Sequence, residues 1–205
     1  MIELYLAPTS NGLRASVILE ECGLAYNPHK IDLMKGEHKK PAYLMLNPAG
    51  LIPTIIDSDG PGGQPITISQ SGAIVLYCAE KAGKFIPKGA ARKALAMQWF
   101  MQAASDVAGA GTIIFFYGLQ APDKSAANTQ WLEQRFLNTL SVVDQHLKDH
   151  EYLAGEISVA DLMLYPNYAG RKALIDKAGG FTNLHRWGAL IAARPGVQKG
   201  MKVLG

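Results

Sequence analysis

Cysteine is nearly absent from this chain: among 205 residues there are two, Cys22 and Cys78, with no CxxC pair and no cluster of metal-ligating residue types beside them. That scarcity excludes an internal redox disulfide of the CxxC kind and a thiolate metal site. Each cysteine sits in an apolar helical pattern, the setting of a buried free thiol. Long apolar runs are lacking too. The longest, residues 108–119, is interrupted by glycine and threonine and is well short of the ~20 residues that span a bilayer. No basic stretch leads into an apolar one at the N-terminus, where Met1-Ile2-Glu3-Leu4-Tyr5-Leu6 already reads as a strand, so a cytoplasmic protein is expected. Concentrated positive charge is also missing. The net charge is +3, the basic residues are dispersed, and the densest group, Lys35 to Lys40, is interrupted by Glu37, which argues against a nucleic-acid surface. There is no internal repeat or low-complexity tract. What is present is a 48% hydrophobic sequence, enough for a substantial core in one large or two small domains.

The most informative segment is Asn47-Pro48-Ala49-Gly50-Leu51-Ile52-Pro53-Thr54-Ile55-Ile56-Asp57. Proline gives no amide hydrogen to a ladder, so Pro53 belongs at a strand entrance, and the Ile52–Pro53 bond is a candidate for the cis form. The backbone of Ile52 is then free to pair with an extended, peptide-like ligand. A second strand-like run, Pro65-Ile66-Thr67-Ile68, leads into Ser69-Gln70-Ser71-Gly72 and a helix.

Around these features the first eighty residues alternate strand and helix signals. Residues 2–6 read as a strand, 13–22 as a helix closed by Gly23, 27–33 as a strand, 41–46 as a short helix and 54–57 as a strand. A turn-rich tip at Asp59-Gly60-Pro61-Gly62-Gly63 precedes the fourth strand and a helix over 71–81. This βαβαββα order is that of a thioredoxin-like α/β domain, placed at residues 1–83. From residue 90 to 205 strand signals vanish. Helical patterns cover 91–117, 126–150, 158–174 and 184–193, where Arg194-Pro195-Gly196 ends the last, so an all-α bundle is expected.

In a thioredoxin-like domain the turn before the first helix faces the ligand site. Here it is Ala7-Pro8-Thr9-Ser10-Asn11-Gly12, which supplies hydroxyl and amide donors beside a helix N-terminus, a setting that favours an anion. Such donors could hold a bound thiolate. Lowering a thiol pKa of about 8.5 by two units takes about 2.7 kcal/mol, the scale of one or two charge-assisted hydrogen bonds. The alternative is that Thr9, Ser10 or Asn11 simply caps the helix. Ser71 reads as an N-cap as well, but a helix start with a hydroxyl and free N–H groups is also a carboxylate site, and Gln70 beside it could pair with an ammonium or a carboxylate. Ser158-Val159-Ala160-Asp161 is a structural capping box.

The APTSNG turn, the NPAGLIP segment, the SQSGAIVLYCAEK helix start and the later GEISVADLMLYP segment resemble glutathione S-transferases, in order and across essentially the whole chain. The Thr-x-Asn-Gly form of the first turn is most similar to the bacterial Nu-class, disulfide-reductase-type members. The resemblance implies glutathione as co-substrate, no metal, and a homodimer. By position it implies that Thr9 and Asn11 face the glutathione sulfur and that His38 lies near the glycyl end. Ile52, with Pro53 behind it, would pair with the cysteinyl backbone, and Gln70 with Ser71 would hold the γ-glutamyl end. Phe115, with Phe116 and Tyr117, lies where relatives face the sulfur and would make an apolar electrophile site. On the residues alone that trio reads as core more often than as pocket. Arg135 is either a surface charge or a partner for a carboxylate. The family usually has Glu where Gln70 stands and often Gln or Lys where His38 stands.

Two kinds of function fit. One is an enzyme that activates the glutathione thiol for attack on small disulfides or electrophiles, with disulfide reduction expected to exceed conjugation because Thr9 and Asn11 offer donors but no ionisable group and because the Nu-class members it resembles lean towards disulfide reduction. The other is a non-catalytic glutathione-binding or regulatory module of the same fold. Thr9, Asn11, Ile52, Pro53 and Ser71 favour the first, and the missing charge at Gln70 keeps the second in view.

Overall fold

In the computed structural model, which describes residues 1–204, the chain forms two compact units. The first comprises Met1–Lys84 together with the residues from Ala192 onward, and the second is Phe85–Ile191.

The first unit is built on a four-stranded sheet of order β2-β1-β3-β4, with β1 Ile2–Leu6, β2 Tyr26–Lys30, β3 Thr54–Asp57 and β4 Ile66–Ser69. Strand β1 runs parallel to β2 and antiparallel to β3, and β3 is antiparallel to β4, with Leu4 opposite both Pro28 and Ile55. The two-residue period of a strand puts Ile2, Leu4 and Leu6 on the buried face. Helices α1 (Ser10–Cys22), α2 (Pro41–Leu44) and α3 (Ser71–Ala82) complete the expected thioredoxin-like order. Strand β2 ends at Lys30 rather than running to residue 33, because Asp32 turns the chain by accepting from the N–H groups of Met34 and Lys35.

Helix α1 is buried on more than one side, since α3 packs on one flank and a further helix, α10 (Pro195–Met201), on another. The sequence signal Arg194-Pro195-Gly196 thus ends one helix and opens the next. Proline at a first helical position has no hydrogen bond to lose there. Glu21 fixes the junction by accepting from Arg194 Nη2 at 2.5 Å and from the N–H of Val197 at 3.1 Å. At the far end Ser16 Oγ donates to the Gly200 carbonyl at 2.7 Å, and a side chain at Gly200 would collide with the backbone of Val17. Helix α10 groups with the first unit.

The second unit is helical. Its helix α4 (Ala90–Met101) passes through a π-helical stretch, Gln102–Val107, into α5 (Ala108–Gln120), so the expected helix 91–117 is one run with a wider turn in it. It continues with α6 (Ala126–Leu147), α7 (Val159–Gly170), α8 (Lys172–Ala178) and α9 (Thr182–Ala192). The expected helix 158–174 is interrupted at Arg171, which leaves helical backbone angles. Helix α7 is apolar all round and buried along most of its length, as a central helix must be. Its start is the expected capping box: Ser158 Oγ accepts from Ala160 N–H, and Asp161 accepts from the N–H of Ser158 at 2.9 Å. Asp161 also accepts from the N–H of Leu153 at 3.0 Å and from Trp187 Nε1 at 2.9 Å, tying the preceding loop and α9 to one buried carboxylate. Among the described residues no helix is long and apolar enough to cross a membrane.

Candidate functional site

The turn after β1 delivers both candidate sulfur ligands. Thr9 caps α1, its Oγ1 accepting from Gly12 N–H at 3.3 Å. The cap uses a lone pair and leaves the hydroxyl hydrogen to give, so capping and ligand binding coexist. Gly12 has no substitute here, because a Cβ would collide with the carbonyl oxygen of Ala7. Asn11 is half-buried, and its Oδ1 accepts from Arg14 Nη1 at 2.5 Å. The same nitrogen of Arg14 lies 3.2 Å from Ser71 Oγ, at the start of α3. One buried guanidinium therefore brings together two candidate residues 60 positions apart in sequence. Arg14 is only 1% exposed. Burial draws its pKa down to about 10, which still leaves it a cation at neutral pH. Nothing local in the sequence marks it, since Arg14 is a single polar position within the helical pattern.

At the sheet edge, the Ile52–Pro53 bond is cis and Pro53 immediately precedes β3, as the sequence indicated. No hydrogen bond of the described residues uses the Ile52 N–H or C=O. The neighbouring residue is held firmly instead. The Leu51 carbonyl accepts from Tyr43 Oη at 2.7 Å and from Asn47 Nδ2 at 2.6 Å, and Asn47 Oδ1 accepts from the N–H of Ala49. Tyr43 and Asn47, both buried, thereby present an unused backbone pair at a fixed place. Neither had been singled out from sequence, although an Asn that bonds its own turn is the common use of Asn in a loop.

Gln70 and Ser71 divide their roles differently from the expectation. Gln70, not Ser71, stands at the cap position of α3, with no side-chain cap bond and a left-handed backbone, φ 74° and ψ 116°. A non-glycine residue held there costs about 1–3 kcal/mol, and such strain gathers at ligand sites. The side chain of Gln70 is exposed. Ser71 is the first helical residue. Its hydroxyl takes the Arg14 bond while the opening N–H groups of α3 have no partner within the helix. These N–H groups and the helix dipole suit a carboxylate.

His38 lies in a single 3₁₀ turn, Glu37–Lys39, whose backbone approaches Gly50 in the NPAGLIP loop. Its Nδ1 is buried with no hydrogen-bond partner, and burial together with Lys39 lowers its pKa. In the second unit Phe115 and Phe116 are 43% and 39% exposed and meet edge to face, so they lie on the surface of α5 rather than in the core. Arg135 is exposed on α6, its guanidinium 6.0 Å from the centre of the Trp131 ring. Cys22 and Cys78 are buried free thiols, and burial pushes their pKa values up to about 11 and about 12. Among the described residues no group of three or more His, Cys, Asp or Glu could hold a metal.

Comparison with known proteins finds relatives of both units. Residues 10–81 match the glutathione S-transferase N-terminal domain and residues 108–201 the glutathione S-transferase C-terminal domain. The disulfide-bond oxidoreductase YfcG of Escherichia coli is 33% identical over 201 residues, covering 95% of this chain and 92% of that protein. Among solved structures, a glutathione transferase from Pseudomonas putida with one glutathione disulfide bound per subunit is 31% identical, with a TM-score of 0.90 over 100% of this chain and 92% of its own. One from Burkholderia graminis with two glutathione molecules bound per subunit is also 31% identical, with a TM-score of 0.90 over 99% and 88%. By sequence over both halves and by fold over its whole length, the chain belongs to the glutathione S-transferase family.

Proposed function

We propose that this protein binds glutathione on its first unit and uses it to reduce small disulfides. The observation that carries the reading is that one Arg14 nitrogen lies within hydrogen-bond distance of both Asn11 and Ser71, the residues proposed to serve the sulfur and the carboxylate, while the Ile52 backbone pair stays unused. In this reading Ile52 pairs with the cysteinyl backbone and the α3 start with Ser71 takes the γ-glutamyl carboxylate. Gln70 faces the γ-glutamyl ammonium, and His38 serves the glycyl end.

Chemically, Thr9 and Asn11 donate to the thiolate, which attacks one sulfur of a disulfide and expels the other as a thiolate that takes up a proton. A second glutathione then attacks the mixed disulfide, so two glutathione molecules are oxidised to one glutathione disulfide while the substrate gains two electrons and two protons. Two things support reduction over conjugation: the neutral character of Thr9 and Asn11, the donors proposed for the sulfur, and the 33% identity to a disulfide-bond oxidoreductase, YfcG. A cytoplasmic location suits a protein with two free thiols that depends on a reduced glutathione pool. Ser71→Ala is expected to weaken glutathione binding by about 1–3 kcal/mol, because a charged ligand group loses its partner. Isothermal titration of the folded variant checks this, and unchanged affinity would contradict it.

The protein is further proposed to be a homodimer. Exposed Leu95 and Met101 on α4 give the second unit an apolar strip, and exposed Met45 and Leu51 do the same for the first. Sedimentation is expected to show a dimer at micromolar concentration; a stable monomer of 22.1 kDa would refute it.

A further inference from the structure

We infer that Arg14 is a positioning residue that sets the hydrogen-bond polarity of the site, turning the Asn11 NH2 and the Ser71 hydroxyl hydrogen towards the ligand, and so favouring ligands that carry acceptors at the sulfur and γ-glutamyl carboxylate positions. This rests on the glutathione reading and adds to it the reason why an anionic thiolate is preferred to a thiol.

The reasoning starts from what each group can do. A guanidinium has five N–H donors and no acceptor. Whatever it touches must accept. The Asn11 carboxamide has one oxygen and one NH2 group, and the oxygen is committed to Arg14 at 2.5 Å. With the oxygen turned to Arg14, Nδ2, a donor, is the group on the other side of the amide that faces a ligand. The Ser71 hydroxyl has one hydrogen, and one lone pair is committed to the same Arg14 nitrogen at 3.2 Å. A hydrogen that cannot be returned to Arg14 is free to be given to a ligand. Thr9 is set in the same sense by a different device, since its oxygen accepts from Gly12 N–H. Without Arg14 the Asn11 amide could rotate by half a turn and present its oxygen, which repels a thiolate and welcomes a thiol. Ser71 could likewise accept instead of donating. The positive charge, buried beneath both residues, acts in the same direction by favouring a ligand anion over the neutral form.

The test compares wild type, Arg14→Lys, Arg14→Gln and Arg14→Met by two readouts. The first is the pKa of the bound glutathione thiol, followed by ultraviolet thiolate absorbance. The second is the affinity ratio between glutathione sulfonate, which offers only acceptors at the sulfur position, and S-methylglutathione, which carries no charge there. Lysine is also a pure donor and keeps the charge, so Arg14→Lys is expected to hold the bound thiol pKa close to wild type. Glutamine keeps polar contact but can present either polarity. Arg14→Gln and Arg14→Met are expected to raise the bound thiol pKa by about one unit or more, a tenfold loss of thiolate, and to erase the preference for the sulfonate. A role in packing alone would lower thermal stability in all three variants and leave both readouts unmoved in those that fold.

Wild type itself supplies a reading that no variant can spoil. It must bind glutathione sulfonate more tightly than S-methylglutathione, and the reverse order overturns the proposal. Failure of wild type to bind glutathione in any form would sink the functional reading and the proposal with it. Binding by wild type, with the bound thiol pKa and the sulfonate preference retained in folded Arg14→Gln, would sink the proposal alone.

Discussion

Asn11→Ala is expected to slow glutathione-dependent reduction of hydroxyethyl disulfide on the order of 100-fold, the usual cost of removing one donor aimed at reacting charge. The reason lies in how Asn11 is held. Its oxygen is taken by Arg14, so the amide NH2 is the group left for the sulfur, and alanine removes it outright. A hydrogen bond to a charged group contributes about 1.5–3 kcal/mol. Its loss makes the thiol harder to ionise, so the pH at which the rate reaches half its maximum should rise by about one unit or more. Binding of the tripeptide should change less, because the Ile52 edge and the α3 start do not touch Asn11's amide. Thr9 remains as the second donor and accounts for residual turnover. Steady-state rates across pH check both parts, and an unchanged rate and profile in a folded variant would contradict the role assigned to Asn11.

The second large effect concerns stability. Asp161→Ala is expected to destabilise the protein by about 3–5 kcal/mol, since it strands several buried donors at once. The carboxylate accepts from Leu153 N–H, Ser158 N–H, Ser158 Oγ and Trp187 Nε1, at 2.9 to 3.2 Å. Burial raises the Asp161 pKa and these donors oppose the rise. The two backbone N–H groups and the indole N–H can only donate, so the site is built for the ionised group. Losing it removes the cap of the central helix and unties both the 153–158 loop and α9. Thermal unfolding should fall by roughly 10 °C. Asp161→Asn, which keeps one oxygen, should fall by less. A shift of only a degree or two in the alanine variant would show that the carboxylate is dispensable.

Much of this was legible in the sequence because its causes are local. Pro53 declares a strand entrance by lacking an N–H, and Ser158 with Asp161 declares a helix start by their spacing. Gly23 closes α1 with a left-handed backbone, φ 71°. What escaped depends on distant partners. Arg14 is a position on a helix until α3 brings Ser71 against it across 57 residues of sequence. Proline at residue 195 reads as a break, and only the packing of α10 on α1, through Gly200 and Glu21, makes it a beginning. The π-helical stretch Gln102–Val107 has no sequence cue, since its residues are ordinary helix formers. Phe115 and Phe116 could be core or surface from composition alone, and their exposure is decided by which neighbours α5 has. The left-handed backbone of Gln70 is a cost that no local preference would select. It appears only once β4 and α3 are both in place.

The most direct test is the rate of glutathione-dependent hydroxyethyl disulfide reduction in a Cys22→Ala/Cys78→Ala variant. Both thiols are buried, and burial raises their pKa values to about 11 and about 12, so neither forms a thiolate at neutral pH. If glutathione supplies the attacking sulfur beside Thr9 and Asn11, the folded double variant will reduce the disulfide at the wild-type rate, and both proteins will do so faster than they conjugate an aromatic halide. Loss of reductase activity on removing the two cysteines would contradict the mechanism, because the electrons would then be passing through the protein's own thiols.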